Sequence, residues 1–274
     1  MTRGTIAIHG LGSIGGSLGL ALRSLPDPPR VVGFDPDPAA ARAALDAGAV
    51  EALLTAAEDD VPGILIEVTA IPPRAALTLV PKLLASLPEG ACLTDLSSVM
   101  LPVLTAVGAG AAGRFVGSHP LRGAEQRGFQ GATVVIGGPL EAGSPAARVA
   151  AMWRSIGAVP TAMAPTLHDA LVALTSHVPH VASTALVRTL RRTGSMTGLL
   201  AQGAGPGLTD TTRLAGSQPD LWFDILTLNA EKITPALELL EREVRGLRHA
   251  IERRDPELRT LLEEAASFRR EIAP

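Results

Sequence analysis

Apolar residues in the first half of the chain come in short runs separated by helical patterns. Thr5–His9 is a β-branched run that ends in glycine, and Ile14–Ser24 follows it with apolar residues at a helical period. Val31–Phe34 and Pro38–Ala47 repeat that pair, and Ile64–Thr69, Ala91–Leu96, Phe115–Ser118 and Thr133–Gly137 read as later strands. Their alternation with helices at roughly 25–30 residue spacing predicts βαβ units on a parallel sheet. Gly137-Gly138-Pro139 and Ala142–Pro145 are turn signals. A helix over about 145–156 and a strand over about 158–163 are expected to close the sheet.

The pattern changes after Met163, beyond which no strand signal is found. Leu171, Leu174, Val178, Val181, Leu186 and Leu190 keep helical spacing, and Pro179 should kink that helix. Pro219, Pro235 and Pro256 each open a periodic segment, with Ser217 or Gln218, Thr234 and Asp255 where N-caps belong. From Glu238 to Glu271 both charge signs run along apolar stripes, as on a solvated helix face; a subunit contact is the alternative. A doubly wound α/β domain over residues 1–164 and an all-α domain over residues 165–274 are therefore expected.

Composition narrows the function. Apolar residues make up 46% of the 274, which allows a sizeable core and argues against disorder. A net charge of −3, from 24 basic and 27 acidic residues, speaks against a nucleic-acid partner and against a polybasic membrane surface. A single cysteine, Cys92, excludes an internal disulfide and fits a cytoplasmic protein. No stretch of about 18 apolar residues is free of Gly, Pro or charge, so no transmembrane helix is expected. Arg3 ahead of an apolar stretch imitates a secretory signal, but glycines recur there at a motif spacing and no cleavage pattern follows. The chain has no Tyr and only two lysines, Lys82 and Lys232. That excludes the Tyr–Lys pair of short-chain dehydrogenases and leaves two candidates for a Schiff base.

Gly10-Leu11-Gly12-Ser13-Ile14-Gly15 follows the first strand and opens the first helix. Gly10 allows the tight turn, Gly12 lets the backbone approach a pyrophosphate, and Gly15 lets helix and strand pack closely. The free N–H groups of the helix N-terminus then face the phosphates. Asp35 ends the second strand. An acid there bonds the ribose hydroxyls and repels a 2′-phosphate, which favours NAD over NADP. Capping the next helix, or a turn role in Asp35-Pro36-Asp37-Pro38, are the other readings of Asp35. The expected cofactor-binding set is Gly10, Gly12, Ser13, Ile14, Gly15 and Asp35, with Thr69 and Ala70 at the end of the third long run.

Three polar clusters lie outside this loop. Asp95–Met100 follows the fourth strand, at the edge that faces a ligand crevice in a doubly wound sheet. A serine there can bond a substrate, although Ser97 or Ser98 can equally cap a helix. Gly117–Glu125 lies just past another strand and contains His119, the side-chain type whose ordinary pKa is near neutrality. A base of that kind takes the hydroxyl proton in an alcohol oxidation, for about 10²–10⁴-fold in rate; a plain loop histidine is the other reading. In the helical half, Ser176-His177-Val178-Pro179-His180 sets two histidines three apart. His-x-x-His invites a metal reading, but no third ligand stands at suitable spacing, so no metal is expected. Arg213 suggests a carboxylate clamp, because guanidinium binds carboxylate bidentately; an ordinary ion pair is the alternative.

Taken together, these segments resemble the prephenate and arogenate dehydrogenases of tyrosine biosynthesis, over nearly the whole chain. Gly10–Gly15 resembles the family's nucleotide loop, Thr94–Met100 its Asp-Val-x-Ser-Val-Lys segment, and Gly117–Glu125 its Gly-x-His-Pro-Met-Ala-Gly-x-Glu segment. Ser176–His180 matches Ser-His-Leu-Pro-His, while Gly207–Ala215 and Pro219–Asn229 are similar to two later segments. The resemblance implies a Rossmann-type nucleotide domain followed by a helical dimerisation domain, and a homodimer with the active site between the two domains. It implies NAD-dependent oxidative decarboxylation of a cyclohexadienol. His119 accepts the 4-hydroxyl proton, C4 passes hydride to NAD⁺, and CO₂ leaves as the ring becomes aromatic. Ser98 bonds the hydroxyl and orients the nicotinamide. Arg213 holds a substrate carboxylate, Ser176, His177, His180 and Trp222 line the substrate pocket, and Glu125 gates access by pairing with the arginine.

This sequence departs from that pattern in places. Met100 stands where the family has Lys, and Thr209 where it has Arg or Lys, so two positive charges are lost near a dianionic substrate. Arg122 replaces a common Ala and restores one; Arg122→Ala should weaken substrate binding, and unchanged kinetics would sink that idea. The expected substrate is prephenate. Arogenate, which carries an extra ammonium, is the alternative, and a divergent dehydrogenase or a regulatory NAD-binding pseudoenzyme of the same fold is another. The lysine-dependent β-hydroxyacid and imine oxidoreductases fit less well, since Lys232 is the only lysine of the helical half and lacks their neighbours. No appended regulatory domain is expected.

Overall fold

The computed structural model describes residues 4–111, 113–121, 128–192 and 197–272. Met1–Asn229 forms one compact unit and Ala230–Pro274 a second.

The first unit is built on strands β1 (Thr5–His9), β2 (Arg30–Phe34), β3 (Ala52–Leu53), β4 (Ile64–Thr69), β5 (Cys92–Asp95), β6 (Phe115–Pro120), β7 (Thr133–Ile136) and β8 (Val159–Ala162). They form one sheet in the order β3-β2-β1-β4-β5-β6-β7-β8. Helices α1 (Ser13–Arg23), α2 (Pro38–Asp46), α3 (Pro73–Ser86), α4 (Leu101–Val107) and α5 (Pro145–Ser155) connect the strands. Side chains alternate across the sheet, so each strand feeds two cores. Ile6, Ile8 and Cys92 pack with Leu18 and Leu22 of α1 and with Val149 and Trp153 of α5. Ala7 and Leu93 pack on the other face with Val80 and Leu83 of α3 and Val103 of α4. This is the doubly wound plan, and its strand order reverses between β1 and β4, where such sheets bind ligands.

Two expectations about the sheet need correction. Pairing is parallel throughout except between β6 and β7, which run antiparallel. The segment between them, Leu121–Ala132, has no apolar period from which to build a crossover helix. In addition, β6 extends to Pro120, so His119 lies inside the strand opposite Val135 and not in a loop beyond it.

After β8, the described residues of the first unit are mostly helical. Here α6 (Pro165–Val172), a π-helical turn (Ala173–His177) and α7 (Val178–Arg192) form one run. Pro179 has no N–H to give the preceding turn, and the wider π turn next to it absorbs the misfit. By length and composition Pro165–Arg192 suffices to cross a membrane, which the sequence does not lead one to expect. Its buried residues include His168, Asp169, His177, His180 and Ser183, all polar. Then come α8 (Thr197–Gly203), α9 (Pro206–Thr212), a 3₁₀ turn (Arg213–Gly216) and α10 (Pro219–Leu228). Gln218 is the N-cap of α10, with no side-chain bond.

The second unit is a pair of helices, α11 (Ala230–Arg253) and α12 (Glu257–Ile272). Pro235 lies inside α11 and does not open it, contrary to expectation. One missing N–H within the first two turns is outweighed by the length of helix on either side. Asp255 accepts from the Glu257 N–H at 3.0 Å and starts α12 as expected.

Candidate functional site

The glycine loop lies at the point where the strand order reverses. Gly10 has φ +91°, and a Cβ there would stand 2.4 Å from the Ala70 carbonyl oxygen. A Cβ on Gly15 would stand 1.8 Å from the Gly10 carbonyl oxygen. Both positions demand glycine, because backbone approaches backbone there. Gly12 differs: a Cβ would meet nothing within 4 Å. It is the N-cap of α1, and no side-chain cap bonds the N–H groups of the first turn. Ser13 and Ile14 are exposed beside it. An anion of pyrophosphate shape fits this cradle.

Asp35 braces the loop. Its Oδ2 accepts the Leu11 N–H at 2.7 Å and its Oδ1 the Asp37 N–H at 2.9 Å. Capping of α2 falls to Asp37, whose Oδ1 accepts from the Ala39 N–H at 2.9 Å. Each oxygen of Asp35 keeps a second lone pair for a ribose hydroxyl. Thr69 is fully buried, and its hydroxyl donates to Asp95 Oδ1 at 2.7 Å. Ala70 is half-buried against the loop and donates its N–H to the His9 carbonyl at 2.7 Å. Burial pushes the Asp95 carboxyl up, against bonds from Ser97 and Thr69 that pull it down.

A chain of polar groups runs from β6 into the helices. His119 Nδ1 is 2.9 Å from His168 Nε2, with the rings edge to face. His168 Nδ1 is 2.7 Å from Asp169 Oδ1. That carboxylate also accepts the Met100 N–H on Oδ1 and the Leu101 N–H on Oδ2, both at 2.9 Å. Asp169 thus satisfies the start of α4, so neither Ser97 nor Ser98 caps it. The backbone carbonyl of Asp169 accepts Asn229 Nδ2 at 2.8 Å, and the same nitrogen lies 3.2 Å from His177 Nδ1. His180 stacks on Trp222, with ring centroids 3.5 Å apart, and His177 meets the same indole edge on at 5.9 Å. His180 Nδ1 and Ser97 Oγ are buried without a hydrogen-bond partner.

Burial sets the protonation of these histidines. It holds His119 down to about 3, with His168 and His177 adding to the effect. It holds His177 down to about 4, against the upward pull of Asp169. His180 is lowered by burial as well. All three are therefore neutral at neutral pH, as a base must be before it accepts a proton.

The structure thus brings His119, His177, His180 and Trp222 into one network. Ser176 is half-buried one residue before His177, and Ser98 is half-buried two residues before the Met100 N–H held by Asp169. Arg213 is exposed at the head of its 3₁₀ turn, which is tied to α7 by the Ala215 N–H on Ser183 Oγ at 3.1 Å. Met100 is buried, its side chain against Gly117 and Gly137, and Thr209 is exposed on α9. Arg122 and Glu125 lie outside the described residues. The sequence reading missed His168, Asp169, Asn229 and Ser183.

A doubly wound sheet with an open glycine cradle, joined to helices that gather titratable groups, is the plan of a two-part nucleotide-dependent oxidoreductase. Family models for the nucleotide-binding domain and the dimerization domain of prephenate dehydrogenase match residues 18–160 and 164–264. The chain belongs to the prephenate dehydrogenase family. Prephenate dehydrogenase of Bacillus subtilis (strain 168) is 28% identical over 265 residues, covering 92% of this chain and 71% of that protein. Cyclohexadienyl dehydrogenase of Zymomonas mobilis is 35% identical over 153 residues, 51% of each. Among solved structures, prephenate dehydrogenase from A. aeolicus, in complex with hydroxyphenyl propionate and NAD⁺, superposes with TM-score 0.86 at 30% identity, covering 99% of both chains. Arogenate dehydrogenase of Synechocystis superposes with TM-score 0.79 at 25% identity, covering 98% of this chain and 100% of the other.

Proposed function

We propose that this chain catalyses NAD-dependent oxidative decarboxylation of prephenate to 4-hydroxyphenylpyruvate, as a cytoplasmic homodimer made through its helical part. The observation that carries this reading is His119, a neutral histidine held on β6 by a buried hydrogen-bond chain. Residues 164–264, matched by the family's dimerization domain, support the dimer. We place the domain division near residue 164, a reading that the start of that match supports.

The cradle at Gly10, Gly12, Ser13, Ile14 and Gly15 fits the pyrophosphate of NAD, and Asp35 the ribose that follows. When bound, NAD⁺ supplies the hydride acceptor. His119 takes the substrate hydroxyl proton, and Ser98 orients that hydroxyl. Arg213 pairs with a carboxylate of the substrate, and Ser176, His177, His180 and Trp222 wall the ring. The unpartnered Nδ1 of His180 is a polar atom for which a ligand group is the natural partner. Arg122 and Glu125 keep their proposed roles in charge balance and access. A dianionic substrate beside His119 raises its affinity for a proton toward the working range.

Arogenate is the second reading, favoured by the loss of positive charge at Met100 and Thr209. NADH formation by the purified protein, with NAD⁺ and each substrate offered separately, decides between them. Turnover with prephenate is expected, and His119→Asn should abolish it while NAD binding survives. Wild-type protein that binds NAD and turns over neither substrate overturns the proposal.

A further inference from the structure

With His119 taken as the base, the reading on which the proposal here rests, the hydrogen bonds around Asp169 fix more than the fold. A carboxylate only accepts hydrogen bonds, so His168 Nδ1 must carry a proton toward Asp169. Asp169 is 1% exposed and already accepts from Met100 and Leu101. His168 has no solvent contact at all. A second proton on it would bury a cation beside His119 and His177, with a carboxylate whose charge is already shared among three N–H groups. The remaining nitrogen of His168, Nε2, is therefore a lone pair, and it faces His119 Nδ1 at 2.9 Å. That lone pair can only accept, so His119 carries its proton on Nδ1. Its Nε2 is left bare.

We propose that His168 and Asp169 are positioning residues: they form a relay that locks His119 in the Nδ1–H tautomer, leaving Nε2 as the atom that accepts the substrate proton. The logic is that of an acid orienting a catalytic histidine, extended by one imidazole. During proton uptake His119 becomes the imidazolium, and its Nδ1–H stays bonded to His168 Nε2, so no other proton moves. The same carboxylate holds the Met100 and Leu101 N–H groups, which places Ser98 and His119 under one anchor. Neither His168 nor Asp169 touches the substrate in this scheme.

The test uses full-length protein labelled with ¹⁵N in histidine. Two-bond ¹H–¹⁵N correlation spectra read the tautomer of each imidazole, and loss of one pattern in His119→Asn assigns His119. The Nδ1–H pattern is expected for wild type, and the Nε2–H pattern overturns the relay whatever the enzyme does. His168→Leu removes the acceptor; kcat should fall about 10²–10³-fold with KM changed less than about threefold, and His119 should lose its single tautomer. His168→Gln offers an amide oxygen to His119 and an N–H to Asp169, and should recover kcat to within about tenfold of wild type. Should His168→Leu misfold, the wild-type spectrum and His168→Gln still decide. Equal loss in Leu and Gln variants that melt like wild type overturns the proposal. A correct tautomer with no turnover of either substrate would instead sink the proposed function and leave the relay standing.

Discussion

Two alanine substitutions in one glycine loop should have opposite consequences. A methyl on Gly15 is placed 1.8 Å from the Gly10 carbonyl oxygen, where contact distance is about 3.3 Å. A Cβ has no rotamer and its neighbour is backbone, so no side-chain change relieves the overlap, and the first turn of α1 and the loop before it must part by about 1.5 Å. Overpacking of this kind costs about 1–3 kcal/mol or more, only partly offset by alanine's helix propensity of up to about 1 kcal/mol. Gly15→Ala should therefore lower the melting temperature by several degrees, about 2–4 °C per kcal/mol for a chain of this size. A methyl on Gly12 touches nothing. At φ −69°, ψ −155° its backbone is open to any residue. Replacing an N-cap glycine with alanine costs about 1 kcal/mol at most. On the proposed reading of the cradle, however, the new methyl projects into the space that the cofactor's pyrophosphate would take. Losing one charge-assisted bond there, about 1.5–3 kcal/mol, weakens NAD binding by about 10- to 100-fold. Calorimetric titration with NAD⁺ and thermal melts on both variants separate the effects. Gly12→Ala with wild-type affinity would refute the cradle, and Gly15→Ala with wild-type melting would refute the overlap.

Three further outcomes are expected of the site. With free His119 held down to about 3, the proposed mechanism predicts no acid limb near 6.5 in kcat/KM and one at higher pH in kcat, because a bound dianion would raise the proposed base; coincident limbs would refute this. His177 has a native pKa of about 4 against an ordinary 6.5, so the unfolded chain binds the proton first, and stability is lost as pH falls from 6.5 toward 4. Denaturant melts at pH 7 and pH 5 should show a loss in wild type about 2 kcal/mol larger than in His177→Asn; equal losses refute the assignment. Ser183→Ala strips the Ala215 N–H of its acceptor, costing about 1–2 kcal/mol and raising KM through Arg213 with little change in kcat; an unchanged KM would show that this turn does not position the arginine.

Most of the sheet was legible because runs of β-branched residues bounded by glycine and proline have few other uses. Ala52–Leu53 escaped because two residues carry no period. The direction of β7 escaped because strand polarity depends on the connection and not on the strand's own residues. Candidate site residues stood out where they followed a predicted strand or broke an apolar stripe, as with His119, His177 and His180. His168 and Asp169 do lie on such a stripe, four residues before buried Val172 and Ala173. Their meaning was hidden all the same, because their partners His119 and Met100 lie 49 and 69 residues away in the chain. Periodicity is a local signal and reports nothing at that range.

The two halves of the proposed chemistry are held by different devices, and that has an energetic consequence. The cradle at Gly12 depends on β1, α1 and the Asp35 carboxylate. His119 depends on β6 and on a relay supplied by α6, anchored at the start of α4. The two hydrogen-bond sets share no residue. Substitutions at sites without shared partners combine additively to within about 0.5 kcal/mol. Combining Gly12→Ala with His168→Leu should therefore multiply their separate effects on kcat/KM, within about twofold. A shortfall beyond that margin would mean that nucleotide binding itself helps to order the histidine. Thr69 and Asp95, which join the floor of the crevice to the segment carrying Ser98, would be the route for that coupling.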